Sequence, residues 1–213
     1  MIIAIDGPAA SGKGTLGKRI AAYYGLAHLD TGKVYRAVAR DTLAMGKSPA
    51  DAGAALIAAK TLDLTTLGDP HLMDGGLGEA ASIVASHARV REELLAYQRA
   101  FARRKPGAVL DGRDIGTVIC PDADVKLFVT AAPEERARRR CRELREVGNG
   151  ISEAEVLADI RRRDDRDKNR AAAPLVQAED AVLLDTTNLD IDAAFKAAID
   201  LIDAAMRPAG QAG

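Results

Sequence analysis

GPAASGKGT, residues 7–15, follows a short apolar run at residues 2–5 and opens a stretch of helical character that begins at Lys13. Glycines let the backbone bend so that successive N–H groups point at one spot, and the following helix adds its positive end there. Gly7, Gly12 and Lys13 satisfy the G-x-x-x-x-G-K pattern, in which the lysine reaches between the β- and γ-phosphates. A turn that only packs a helix on a strand is the alternative. The flanking strand and helix favour a loop that binds nucleotide phosphates through Gly7, Pro8, Ala9, Ala10, Ser11, Gly12, Lys13, Gly14 and Thr15.

The composition of the chain narrows the class of protein. Its 213 residues carry a formal net charge of −1, which argues against a surface that grips nucleic acid, and the absence of tryptophan argues against an aromatic stacking platform. Two cysteines with no C-x-x-C spacing indicate reduced thiols rather than a zinc site. No stretch has the length and apolarity of a membrane helix or a signal peptide. We therefore expect a soluble cytoplasmic protein with no nucleic-acid or membrane partner.

Apolar runs and helical stretches alternate along the chain. The apolar runs are continuous, as expected for strands of a parallel sheet that is covered on both faces. They lie at residues 2–5, 27–29, 108–110, 125–129 and 181–184. Helical stretches lie at residues 13–24, 32–45, 79–104 (one or two helices), 133–148, 152–168 and 191–206. The order predicts a doubly wound, three-layer α/β fold with a five-stranded parallel sheet.

Helix ends have their own sequence features. Gly25 suits a left-handed C-terminal stop, Thr31 is a candidate N-cap, and Gly148 is a candidate stop for the helix that Pro133 begins. Ser152 precedes Glu155 by three residues, which predicts a capping box at the start of the next helix.

About 60 residues separate the helix ending near residue 45 from the strand at residue 108, which is more than a simple crossover needs. We therefore read residues 49–105 as a lobe inserted beside the core. Within it, TLDLTTLGDPHLMDGGLG at residues 61–78 is rich in turn residues and predicts a small irregular or β-rich piece.

Residues 133–170 hold 12 Arg and Lys against 10 Asp and Glu, in two blocks around a glycine turn. Two charged helices joined in this way could form a lid that closes over a nucleotide and excludes water. A solvated helix pair with i,i+4 salt bridges is the alternative. The dense interleaving of arginine and aspartate in RDDRDKNR, residues 163–170, favours a network that binds anions.

Acidic and hydroxyl side chains follow the predicted strands. Asp111 ends a strand and could hold magnesium, in part through water, because Gly14 stands where phosphate loops usually carry a hydroxyl, which here comes from Thr15. A turn-capping aspartate is the alternative. Tyr35 and Arg36 lie four and five residues after Thr31, so these groups could converge on a monophosphate or a base. Core packing is an equal reading for Tyr35.

Three ordered motifs carry a family resemblance: LDTGKVYR at residues 29–36, DGRDIGTV at 111–118 and RDDRDKNR at 163–170. With EAAS at 79–82, RVRE at 89–92 and PDADVKLF at 121–128, the chain resembles the bacterial cytidylate kinases over its whole length. The spelling GKGT is typical of nucleoside monophosphate kinases. The resemblance implies an adenylate-kinase-like, P-loop NTPase-type fold with a short lid. It also implies transfer of the γ-phosphoryl group of ATP to CMP or dCMP, in pyrimidine nucleotide metabolism, with Mg²⁺.

The resemblance also implies roles for single residues. Arg113, Arg163 and Arg170 would contact phosphates, with Arg166 a further candidate for the transferred group. Asp167 with Arg163 would contact the ribose hydroxyls, and Ser82 would lie near cytosine. The expected catalytic residues are Lys13, Arg113, Arg166 and Arg170. The expected substrate-binding residues are Thr31, Tyr35, Arg36, Ser82, Arg113, Arg163, Asp167 and Arg170, and the expected metal-binding residues are Thr15 and Asp111.

We expect one domain, a monomer, whose core spans residues 1–48, 106–135 and 171–213, with the inserted monophosphate-binding lobe at about 49–105 and the lid at about 136–170. Transfer would be in line, without a covalent enzyme intermediate. An adenylate-type kinase is the rival enzyme, but such kinases usually read DGFPR where this chain reads DGRDI. A non-catalytic nucleotide-binding switch or an RNA-binding protein is the rival from another class.

Overall fold

Five parallel strands form one sheet in the computed structural model, which describes residues 1–73, 75–146 and 150–207. The strands are β1 (Ile2–Asp6), β2 (Ala27–Asp30), β3 (Ala108–Gly112), β4 (Val125–Thr130) and β5 (Val182–Asp185), in the spatial order β2-β3-β1-β4-β5. Every neighbouring pair is parallel. The predicted α/β class and five-stranded parallel sheet are confirmed, and β5 begins one residue later than expected.

Eight α-helices surround the sheet in the described part of the chain. They are α1 (Lys13–Tyr24), α2 (Thr31–Ala44), α3 (Ala52–Lys60), α4 (Gly75–Val84), α5 (Ala88–Ala102), α6 (Pro133–Glu146), α7 (Glu153–Asn169) and α8 (Ile191–Met206). The stretch predicted at residues 79–104 is two helices, and α3 was not predicted. The predicted end of α6 at Gly148 and the end of the chain after residue 207 lie outside the described residues.

The sheet buries both of its faces, as the continuous apolar strands predicted. Ala4 and Leu110 face a core shared with α2, α4 and α5. Ile3, Ile5 and Leu127 face a second core shared with α1 and α8. Side chains of a strand alternate between its faces, so a strand covered on both sides must be apolar at every position.

Helix ends follow the sequence features with one correction. Gly25 has φ 66°, the left-handed stop expected of it, and Ser152 and Glu155 form both bonds of the capping box. The N-cap of α2 is Asp30 rather than Thr31, since the Asp30 carboxylate accepts the backbone N–H of Lys33 at 3.3 Å. Thr31 begins the helix, and its hydroxyl donates to the carbonyl of Asp111 at 2.8 Å. This bond joins α2 to the end of β3.

The segment at residues 61–78 is irregular up to Met73 and α-helical from Gly75, and the β-rich reading is wrong for its described residues. Two short 3₁₀ helices, Leu64–Gly68 and Pro70–Met73, precede α4. Asp63 accepts the backbone N–H of Thr65 at 2.9 Å, and Asp69 accepts that of His71 at 2.9 Å. These local bonds satisfy backbone groups that a strand would have paired with a neighbour. None of the described helices is long and apolar enough to span a bilayer.

Candidate active site

A cleft of about 830 Å³ opens where the loop after β1, the start of α2, the turn after β3 and the inner side of α7 meet. Ligands of open parallel sheets bind at this edge, outside the carboxyl ends of the strands. The cleft is lined by most of the residues singled out above: Ala9, Ala10, Ser11, Gly12, Lys13, Gly14, Thr15, Thr31, Tyr35, Arg36, Ser82, Asp111, Arg113, Arg163, Asp167 and Arg170. Gly7, Pro8 and Arg166 are not among the lining residues.

The loop after β1 is shaped by close packing and by left-handed backbone. A Cβ on Gly7 would lie 1.9 Å from the carbonyl oxygen of Val129, so only glycine lets the loop rest on β4. Ala10 and Gly12 have φ of 57° and 85°, and such turns aim successive N–H groups into a concavity. The buried Ser11 hydroxyl has no hydrogen-bond partner among the described residues. The loop therefore holds unused donors at the mouth of α1.

Lys13 is a buried cation whose ammonium donates to the carbonyl of Pro8 at 3.0 Å. Burial, followed by the nearby guanidinium of Arg113, lowers the pKa of Lys13 from 10.5 to about 7, although Asp111 and Asp30 oppose the shift. Arg163 is in the same position: burial, then Arg113 and Arg36, lowers its pKa to about 10. Its Nε is buried without a partner in the described part of the chain. Cations that lower one another's pKa in this way form a site for an anion.

Asp167 joins three elements at the centre of the cleft. Its Oδ2 accepts Arg113 Nε at 2.8 Å, from the turn after β3, and its Oδ1 accepts the Ser82 hydroxyl of α4 at 3.2 Å. Burial opposes its ionisation, yet Arg113, with Arg170 and Arg163, holds the pKa of Asp167 below its usual range. The structure thus brings together four predicted residues around one carboxylate that is charged at neutral pH.

Arg166 and Arg36 have partners that the sequence did not predict. Arg166 Nη2 makes a short bond to Glu79 Oε1 of α4, while its Nη1 is buried without a partner in the described residues. Arg36 Nη1 donates to the sulfur of Met73 at 2.8 Å. In this arrangement Arg166 ties α7 to α4 rather than facing the cleft.

Arg91 and Asp114, which the sequence marks only as members of the RVRE and DGRD motifs, also line the cleft. Arg91 Nη2 makes a short bond to Asp114 Oδ2, and Arg170 Nη2 approaches the other oxygen at 3.5 Å. The Arg91 guanidinium also lies 5.4 Å from the ring centre of Tyr35. All four side chains are buried. The only features pointing to this group were the arginine of RVRE and the second aspartate of DGRD.

The turn that carries Arg113 and Asp114 is held by Asp6 at the end of β1. Its two carboxylate oxygens accept the backbone N–H groups of Ile115 and Gly116, each at 2.7 Å. Burial raises the pKa of Asp6 to about 6. Asp6 thereby fixes the acidic and basic groups of the turn relative to the loop that begins one residue later.

Oxygen atoms that could serve magnesium meet beside Gly14. Asp111 Oδ1 and Asp30 Oδ2 lie 3.8 and 3.9 Å from the position that a Cβ of Gly14 would take. Burial, and then Asp30, raises the pKa of Asp111, which is the effect of two carboxylates sharing a small space. Thr15 is exposed at the same edge. In the described residues no three His, Cys, Asp or Glu side chains form a complete metal cluster. The donor set fits Mg²⁺, which usually takes one or two carboxylates with water and substrate phosphate.

The base of the charged helix pair is buried and its outer surface is solvated. Arg136 of α6 donates through Nη1 to the carbonyl of Ala9 and to Asp164 Oδ1 of α7, both at 3.0 Å. By contrast, Arg161–Glu134 and Arg162–Asp159 are exposed pairs that add little stability. The predicted alternative, a solvated helix pair with salt bridges, therefore describes the outer surface of α6 and α7. On the inner side, the buried Arg136 attaches this helix pair to the loop after β1.

Comparison with known proteins gives one consistent result. A family model described as cytidylate kinase matches residues 3–204. Proteins named cytidylate kinase include one from Azorhizobium caulinodans, 62% identical over 205 residues that cover 96% of this chain and 99% of that protein. One from Rhodopseudomonas palustris strain BisB5 is 60% identical over 96% of each chain, and one from Nitrobacter winogradskyi is 58% identical over the full length of both. A crystal structure of an uncharacterized protein from Eubacterium ventriosum shares the fold, with a TM-score of 0.56, 15% identity and coverage of 96% and 98%.

Proposed function

The chain belongs to the cytidylate kinase family and so transfers the γ-phosphoryl group of ATP to CMP, and we propose which residues of its cleft bind each nucleotide. The observation that carries the assignment is the convergence of Lys13, Arg113 and Arg163 on one cleft, where burial and mutual repulsion lower the pKa of Lys13 to about 7 and that of Arg163 to about 10. The phosphates of two nucleotides supply the negative charge that these groups lack.

ATP binds at the loop after β1. The backbone N–H groups of residues 9–15 surround its phosphates, and the N-terminus of α1 adds a favourable dipole. Lys13 exchanges the Pro8 carbonyl for phosphate oxygens, and the unpartnered Ser11 hydroxyl gains an acceptor. Gly7 and Pro8 do not line the cleft. Gly7 lets the loop pack closely on β4, and the Pro8 carbonyl accepts the Lys13 ammonium when no nucleotide is bound.

CMP binds on the other side of the cleft, between α2, α4 and α7. Arg36, Arg113, Arg163 and Arg170 supply its phosphate with guanidinium donors, which suit phosphate oxygens in paired geometry. Asp167, held by Arg113 and Ser82, accepts from the ribose hydroxyls. A carboxylate gains only one bond from the 2′-hydroxyl, so dCMP is also a substrate, with a modest preference for CMP.

Arg91, Asp114 and Ser82 recognise the base. Cytosine presents an exocyclic amine that donates, and a ring nitrogen and a carbonyl oxygen that accept. A carboxylate has about four acceptor positions, so Asp114 can receive the amine while it stays paired with Arg91, and Arg91 has donors to spare for the acceptors. Uracil reverses the pattern at the amine position and leaves Asp114 facing an oxygen.

Transfer is in line between the two nucleotides and forms no covalent bond to the protein. The acceptor phosphate is already nucleophilic, so the protein needs no general base, and catalysis rests on positioning and positive charge. Lys13, Arg113 and Arg170 stabilise the charge of the transferred group. Arg166 joins them if it exchanges Glu79 for the phosphoryl group. Asp111 and Thr15 would hold magnesium, in part through water, and the ion would neutralise charge on the nucleotide phosphates.

The division of the molecule is part of the proposal. Residues 49–105 form the monophosphate-binding lobe and 136–170 the lid, while 1–48, 106–135 and 171–213 form the core. We also propose a cytoplasmic monomer, and the free, buried thiols of Cys120 and Cys141 suit a reducing compartment.

A nucleotide panel tests the assignment of substrate. Coupled measurement of ADP release with CMP, dCMP, UMP, AMP and GMP is expected to show the fastest turnover with CMP and dCMP, and turnover with UMP lower by more than about tenfold. Absence of stimulation by either cytidine nucleotide would overturn the function, whereas equal rates with UMP would overturn only the roles of Arg91 and Asp114.

Proton uptake tests the role of Lys13 in ATP binding. With a pKa of about 7 in the free cleft, Lys13 is largely neutral at about pH 8, and nearby phosphates restore its charge. Binding of a non-hydrolysable ATP analogue at that pH should therefore take up most of one proton per site, and much less near pH 6. Calorimetry in buffers of different ionisation enthalpy measures this number, and Lys13→Met is the control that removes it. Binding of the analogue without uptake in the unmodified protein would contradict the proposed contact.

A further inference from the structure

His28 has no role in the proposed function, but it is hydrogen-bonded to Asp111, a proposed metal ligand. It lies on β2, at the edge of the sheet, and its Nε2 is 2.8 Å from Asp111 Oδ2. The His28 side chain is 21% exposed and that of Asp111 only 3%, so the bond forms at the inner end of the imidazole. The other nitrogen of the ring is not bonded in the described residues, so Nε2–H is the natural donor to the carboxylate.

The neighbouring helix leaves room for this pair. A Cβ on Gly17 of α1 would lie 3.1 Å from His28 Nε2 and 3.4 Å from Asp111 Oδ2. Glycine inside a helix is destabilising relative to alanine, because it loses more backbone freedom on folding. Here it lets the imidazole and the carboxylate pack directly against the first turns of α1, the helix that begins at Lys13.

The bond leaves one oxygen of Asp111 for the nucleotide site. Oδ2 is held by His28, while Oδ1 faces Gly14, 3.8 Å from the position of its absent Cβ, and Asp30 Oδ2 lies 3.9 Å from that point. Residue 14 has no hydroxyl, so Thr15 supplies the only hydroxyl proposed for the metal and the oxygens beside Gly14 come from carboxylates. The direction of Asp111 therefore matters more here than in a loop that carries a hydroxyl at this position.

We propose that His28 is a positioning residue that fixes the carboxylate of Asp111, so that Oδ1 points at Gly14 and at the metal bound with ATP. The inference rests on the proposed metal role of Asp111. Without the bond, two neighbouring carboxylates repel each other, and Asp111 can rotate its Oδ1 away from Asp30. Groups that orient a metal ligand commonly change metal affinity by about 10- to 100-fold when they are removed.

The test is manganese binding to the complex of the protein with a non-hydrolysable ATP analogue, followed by electron paramagnetic resonance. His28→Ala should weaken Mn²⁺ in this complex about tenfold. His28→Gln, whose side-chain amide can donate from a similar position, should restore most of the affinity. The KM for CMP should stay unchanged in both, because His28 contacts no proposed acceptor-site residue. His87→Ala is the matched control, since His87 is another partly buried histidine, with Nε2 2.9 Å from a carbonyl at Pro49, and Mn²⁺ affinity should not change.

Three results would overturn the inference. One is wild-type Mn²⁺ affinity in His28→Ala. Another is a glutamine variant as weak as the alanine variant, because a bond to Asp111 would then not be what matters. The third is an equal loss in His87→Ala. Asp111→Asn separates the proposal from its premise: if it leaves Mn²⁺ affinity intact, the metal role of Asp111 fails, whereas a loss in Asp111→Asn with none in His28→Ala removes His28 alone.

Discussion

Lys13→Met is expected to lower kcat about a hundred- to a thousandfold, the usual effect of removing one group that stabilises transition-state charge. Methionine keeps the length of the buried stem and removes only the ammonium. The KM for CMP should change little, because Lys13 belongs to the donor side of the cleft. Steady-state kinetics with ATP and CMP varied separately would show the split.

The buried Lys13 should also affect how the stability of the protein depends on pH. Since burial and Arg113 lower the pKa of Lys13 from 10.5 to about 7, the unfolded chain binds more protons than the folded one between these values. The free energy of unfolding therefore rises with pH across that window, and Lys13→Met should flatten the rise. Denaturant unfolding at several pH values measures it. Lys196→Met, at an exposed position on α8, is the control.

Full activity in Lys13→Met would contradict the kinetic prediction and would show that the loop binds phosphate without this contact.

Asp167→Asn is expected to raise the KM for CMP about 10- to 100-fold, since bonds to a charged group contribute about 1.5–3 kcal/mol each. Asparagine fills the same space but removes the charge opposite Arg113 and one of the acceptors for the ribose. The KM for dCMP should rise less, because the contact with the 2′-hydroxyl is already missing, so the preference for CMP should shrink. Parallel kinetics with the two substrates would test both statements.

The control for Asp167 lies two residues away on the same helix. Asp165 is exposed on α7, so Asp165→Asn should leave both KM values unchanged. If Asp167→Asn turned over CMP like the unmodified protein, the acceptor site would have been placed wrongly even with the fold correct. An equal rise for CMP and dCMP would instead retain the electrostatic role of Asp167 and remove its contact with the 2′-hydroxyl.

The sheet and most helices could be predicted because their residues satisfy local and global requirements together. Apolar side chains at successive positions of residues 2–5 and 108–110 suit only a strand that is covered on both faces. The N-cap of α2 was predicted wrongly because two adjacent residues, Asp30 and Thr31, can both cap a helix. Asp30 caps α2 because the Thr31 hydroxyl is engaged by Asp111 across the sheet, and that contact has no counterpart in the local sequence.

The grouping of the loop after β1 with most of the predicted residues in one cleft could also be expected, since loops with glycine and lysine at fixed spacing have one common use. The side-chain pairs within the site could not. Arg91 with Asp114 and His28 with Asp111 join residues 23 and 83 positions apart, and no periodicity links such positions. Likewise, nothing in a row of arginines distinguishes the buried Arg136 from its exposed neighbour Arg138. For Arg166, the motif predicted a contact with the transferred phosphoryl group, whereas in the structure its guanidinium is paired with Glu79.

The attachment of Arg136 to Ala9 and Asp164 limits how the charged helices can move. Its guanidinium is buried between the loop, α6 and α7, so we expect any closing of the proposed lid to be a rotation of the helix pair about that point. Arg163 and Asp167 lie within a turn of Asp164 on α7, so such a rotation would displace them little and would move the far ends of both helices most. We therefore expect the proposed lid to exclude water at the far ends of the helices while Arg163 and Asp167, the proposed contacts of the acceptor nucleotide, stay in place.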